Sequence, residues 1–196
     1  GSTLTAYLNG VSVGTATVTT NFSATAACIG ALDNGAEYIT GYVSNLRAVI
    51  GTAVYTANFT PPTAPLTAIS GTQLLLSATN GGIVDATAKN DLETVGNAQI
   101  STTQSKFGGS SIYLDGTGDY LTIPSTQNLA FGGDFTVEGW VYCNSKTNDA
   151  PPLVANYKSS WSSGAVIFRI YQNFFGGIPM LQCYDYNSAG YGIVTG

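Results

Sequence analysis

Apolar and polar residues alternate along much of this chain, the period-two pattern of a strand with one buried face. The clearest stretch is 106–142, KFGGSSIYLDGTGDYLTIPSTQNLAFGGDFTVEGWVY, with strand-like runs at 111–115, 119–123 and 134–142. In the first, Ile112 and Leu114 alternate with Tyr113 and Asp115. In the third, Phe135, Val137, Gly139 and Val141 share one face, and Thr136, Glu138, Trp140 and Tyr142 the other. Bulky groups on both faces predict a central strand covered on both sides, with Trp140 packed. Gly116-Thr117-Gly118 tolerates positive φ and predicts a tight hairpin between the first two runs.

Residues 3–18 alternate around Asn9-Gly10, the strongest short-range hairpin signal. Further strands are predicted at 27–32 and 37–50, separated by the turn residues Asp33-Asn34-Gly35. Pro61, Pro62 and Pro65 make regular pairing unfavourable within 51–70, which reads as an extended connector pinned by Tyr55 and Phe59. Beyond it come a buried strand at 74–76, a polar turn at 85–90 and weak strands at 92–95 and 98–101. After the central stretch, strands are predicted at 153–157, 165–171, 180–184 and 191–194. No segment sustains a 3.6-residue apolar period, so the expected class is all-β and antiparallel with little helix.

Composition narrows the partners. With 44% apolar and only 9% charged residues, the chain can bury enough surface to order itself. A net charge of −5 with six basic residues is the wrong balance for a phosphate backbone, so no nucleic-acid partner is expected. No run approaches the ~20 apolar residues of a membrane-spanning helix, so no membrane insertion is expected either. Cys28, Cys143 and Cys183 lack CxxC spacing and read as packed thiols, with a Cys143–Cys183 bridge as the alternative. Histidine is absent, which excludes Ser-His and Cys-His nucleophilic pairs.

The segments KFGGSSIYLDGTGDYLTIP and DFTVEGWVY resemble the opening half of a laminin-G-like domain of the concanavalin A-like lectin/glucanase superfamily. The likeness is to versions found in tandem-repeat proteins of bacteria and phages, cyanophages in particular. GALDNGAEYITGYVSNLRAV, at 30–49, resembles the closing end of such a domain. The resemblance implies a jelly-roll-like β-sandwich. It also implies that 1–50 closes one module, 51–71 is a connector, and 72–196 opens a second. On that reading the chain is a window from a tandem array, a permuted single sandwich, or a subunit whose halves complete its neighbours.

That superfamily contains lectins, hydrolases and inert spacers, so activity has to be read from side chains. Asp134 and Glu138 lie four residues apart on one strand face, roughly 13 Å when extended. Glycoside hydrolysis needs two carboxyl groups about 5–9.5 Å apart. The E-x-D-x-x-E strand of the superfamily's hydrolases is missing, and no enzyme activity is expected. Asp115 and Asp119, and the cluster Asp33, Asn34 and Glu37, offer hard oxygen ligands of the kind Ca²⁺ takes. Laminin-G-like domains often carry such an ion at the sandwich edge; the same residues also serve turns. For sugar binding the candidates are Trp161, in the 158–164 loop, and the cluster Tyr184, Tyr186, Asn187 and Tyr191. Their rings can stack on pyranose faces or pack within the sandwich. The expected role is structural and adhesive, on a virion fibre, capsid appendage or surface filament, with neighbouring copies or modules and cell-surface glycans as partners. A purely structural repeat is one alternative. An accessory part of a carbohydrate-active enzyme, with catalytic residues elsewhere, is another.

Overall fold

The computed structural model describes residues 2–18, 22, 26–32, 37–79, 81–124, 127–144, 151–156, 166–171 and 180–185. The strands among them are β1 (Ser2–Leu8), β2 (Val11–Val18), β3 (Ala27–Ile29), β4 (Thr40–Ile50), β5 (Thr72–Thr79), β6 (Gly82–Asp85) and β7 (Glu93–Val95). They continue as β8 (Gln99–Ser101), β9 (Ser111–Asp115), β10 (Tyr120–Ile123), β11 (Phe135–Cys143), β12 (Pro152–Asn156), β13 (Val166–Tyr171) and β14 (Met180–Asp185). One 3-10 turn, Gln127–Leu129, is the sole helical element among the described residues.

The protein is an all-β, antiparallel β-sandwich. One sheet runs β14-β13-β12-β3-β10-β7; the other runs β6-β5-β4-β9-β8, with β11 along the free side of β4. Inward residues of both sheets meet in one apolar cluster. Ile29, Leu121, Ile123 and Val154 come from the first sheet, and Val43, Leu46, Leu74, Leu76, Ile112 and Leu114 from the second. The segments that the sequence assigns to two modules therefore pair strand against strand. β3 lies between β10 and β12, and β4 pairs with β5, β9 and β11.

Two local expectations are overturned. The run 111–123 is not a hairpin, because β9 and β10 belong to opposite sheets. Ile112 and Leu114 enter the core from one side, Leu121 and Ile123 from the other, and Gly116 (φ 87°) and Gly118 (φ 80°) carry the chain around the corner. A Cβ on Gly116 would lie 1.9 Å from the Thr40 hydroxyl, so the close approach also demands glycine. Nor is β11 a central strand: among the described residues its one partner is β4. Its alternation is as read, with Phe135, Val137 and Val141 against the core. Its polar-side residues, Trp140 included, form the outside of the sandwich.

The hairpin β1–β2 forms at Asn9-Gly10, where both residues have positive φ, and stands as its own two-stranded sheet. The connector bridges it to the sandwich. The Phe59 amide donates to the Gly10 carbonyl at 2.8 Å, the ring of Phe59 meets Tyr7 edge-on, and Tyr55 stacks on Phe59 at 3.6 Å.

Candidate ligand-binding face

The outer face of the second sheet divides into a covered half and an open half. Over the covered half, the connector lies on β4 and β11. Arg47, buried on β4, donates from Nε to Glu138 Oε1 at 2.9 Å and from Nη1 to the Thr67 carbonyl at 2.7 Å. The Tyr55 hydroxyl donates to the other Glu138 oxygen at 2.9 Å, the Leu66 amide donates to Asn45 Oδ1, and the Val54 amide to Thr136 Oγ1. Burial first, and the adjacent Glu138 carboxylate second, push the Tyr55 hydroxyl up to about 12. Glu138 is thus held between an arginine and a phenol.

The open half is aromatic. In register across β9, β4 and β11, Tyr113 faces Tyr42 and Tyr42 faces Tyr142. Their inward neighbours Ile112 and Val43 are core residues, so strand alternation turns all three rings outward. Ring centroids are 5.0 Å apart for Tyr42–Tyr113 and 6.0 Å for Tyr42–Tyr142, with interplanar angles of 39° and 62°. Trp140, one step along β11 and opposite Ser44, meets Phe107 edge-on at 5.0 Å. The 102–110 loop that carries Phe107 is held where Ser111 Oγ donates to the Gln104 carbonyl and Ser110 Oγ to the Ala78 carbonyl. A shallow cavity of about 160 Å³ lies here, floored by Tyr42, Trp140 and Tyr142 and rimmed by Gln104, Ser105 and Lys106.

The acidic candidates fall elsewhere. Asp119, completely buried, accepts from the Asn97 amide on Oδ1 at 2.8 Å and from the Asp115 amide on Oδ2 at 2.9 Å. Asp115 Oδ1 accepts from the Thr117 amide at 2.7 Å. The Asn97 side chain faces both carboxylates, so the group turned toward them is its Nδ2, 2.6 Å from Asp119 Oδ2 and 3.3 Å from Asp115 Oδ2. These hydrogen bonds tie the corner between β9 and β10 together. No group of three or more Asp, Glu, Cys or His side chains converges among the described residues. Glu37 is ion-paired with Arg169 of β13. Asp85, pushed up by burial, is brought net below its ordinary value by hydrogen bonds from Leu75, Thr87 and Asn90, which close the turn after β6.

Of the sugar candidates, Tyr184 stands on β14 opposite Ile167. Its side chain lies outside the described residues, as do Trp161, Tyr186, Asn187, Tyr191, Asp33 and Asn34. The aromatic row on β9, β4 and β11 is a site that period-two reading does not find. Its one sequence signal is the placing of Tyr113, Trp140 and Tyr142 on the polar side of their strands; which strands adjoin is not written in the pattern. Compared with protein-family models, with curated proteins and with solved structures, the chain finds no match.

Proposed function

We propose that this chain is a non-enzymatic structural and adhesive module, laminin-G-like and concanavalin A-like in type. It works on a virion fibre, capsid appendage or surface filament, against neighbouring copies or modules and cell-surface glycans. The observation that carries this reading is the division of labour on the second sheet's outer face. Its carboxylate Glu138 is consumed in holding the connector, while its unoccupied half presents rings and polar side chains to solvent. Such a face suits holding a ligand rather than transforming it.

The test is retention on immobilised polysaccharides combined with an assay for new reducing ends. Retention without cleavage is the expected result. Release of reducing ends by the chain itself would overturn the reading. A purely structural role, with other copies as sole partners, is favoured by one feature: hairpin β1–β2 pairs with neither sandwich sheet among the described residues and leaves Val11 55% exposed. Light scattering that shows assembly, together with no retention on any polysaccharide, would select it.

A further inference from the structure

We infer that the cavity on the outer face of β4 and β11 binds an acidic polysaccharide, one sugar ring on the aromatic floor and a carboxylate against Lys106. The inference rests on the adhesive reading above and gives it a site and a ligand class. Its first support is the chemistry of the lining. Tyr42, Trp140 and Tyr142 supply aromatic area, and Gln104, Ser105 and Lys106 stand around it with donors and acceptors. A pyranose has this same division, with C–H groups on its faces and hydroxyls around its edge. A purely apolar partner would leave the rim unsatisfied, and a highly charged one would gain nothing from the floor.

The second support is charge. Among the described residues Arg47 and Arg169 are ion-paired, and Lys89 is bonded to the Thr72 carbonyl and to Gln73. Lys106 has no ion pair among them; its ammonium stands 5.8 Å from the Phe107 ring, at the rim of the cavity. The carboxylates on the same outer face, Glu138 and Asp115, already accept hydrogen bonds and line no part of the cavity. One unpaired cation beside rings and polar groups complements a sugar that carries a carboxylate, such as a uronic acid.

The third support is shape. The row Tyr113–Tyr42–Tyr142 runs across the strands, so its spacing follows the interstrand distance of about 4.8 Å. Its rings are inclined to one another by 39° and 62° rather than coplanar. A flat crystalline polysaccharide cannot lie on such a row, whereas a single soluble chain that turns about its axis can.

The experiment is calorimetric titration of the full chain with oligogalacturonate and hyaluronan hexasaccharides, and with cellohexaose as the neutral comparison, at low and high salt. Acidic oligosaccharides should bind better than cellohexaose, and more weakly as salt rises. Lys106→Gln should weaken acidic binding about tenfold, as for loss of one charge-assisted contact. Tyr142→Ala, at a ring 54% exposed, should weaken it at least as much while leaving the circular dichroism unchanged. Binding unaffected by both substitutions would overturn this site while leaving the adhesive reading in place. Equal binding of cellohexaose, indifferent to Lys106→Gln, would overturn the acidic ligand. Failure of both acidic hexasaccharides to bind would overturn the inference, even if other polysaccharides retain the chain.

Discussion

Arg47 and Glu138 are the residues on which the connector's position depends. Both are nearly buried, and a buried pair that loses one member leaves a charge without compensation. Glu138→Ala should therefore cost about 3–5 kcal/mol, read from urea unfolding. Replacing both by leucine should recover much of that loss, because two desolvated charges vanish together; a double variant as unstable as the single one would contradict this. Tyr55 gives the same network a pH signature. Its hydroxyl titrates near 12 when folded against an ordinary 10.0, so the folded state binds more proton between those values. Its contribution is complete below pH 10 and is lost as pH rises toward 12. Tyr55→Phe should flatten that part of the stability–pH curve, and an unchanged slope would refute the assignment.

At the scale of elements, β4 organises the second sheet. Asn45, with φ of 52°, sits where two residues of β4 oppose one of β11, and the register shifts between Glu138 and Trp140. This bulge keeps Leu46 inward and Arg47 outward while Val43 remains inward on the other side of it. It separates the connector's half of the face from the aromatic half. Hairpin β1–β2 is coupled to the connector through Gly10. At φ 81°, an added Cβ there would lie 1.9 Å from the Phe59 carbonyl oxygen, a backbone atom without freedom to rotate away. Gly10→Ala should cost about 1–2 kcal/mol from its left-handed conformation alone, and should also release the connector. Limited proteolysis is the check: cleavage within 51–70 should accelerate, and an unchanged digestion rate would mean that the contact holds nothing.

On the scale of the whole molecule, local alternation and global pairing answer different questions. Strand identity is legible where period two is strong: the Asn9-Gly10 hairpin, the alternation of β9 and β11, and the proline-rich connector all follow the residue pattern. β6 has no signal in the pattern, where only Ile83 and Val84 stand between Gly82 and Asp85. The corner at Gly116–Gly118 reads as a hairpin in the sequence, because two glycines permit a hairpin and a sheet crossing equally. Burial of Leu114 and Leu121 from opposite sides, with Asp119 accepting backbone amides across the corner, decided between them. By itself the sequence determined an all-β chain, the alternation of its strong strands and the exclusion of histidine chemistry, since each depends on residue type and local spacing. Only the tertiary structure decided which strands adjoin, and therefore that Tyr113, Tyr42 and Tyr142 form one row beside Trp140 and Lys106. These residues are separated by up to a hundred positions, and what brings them together is the burial of a shared core.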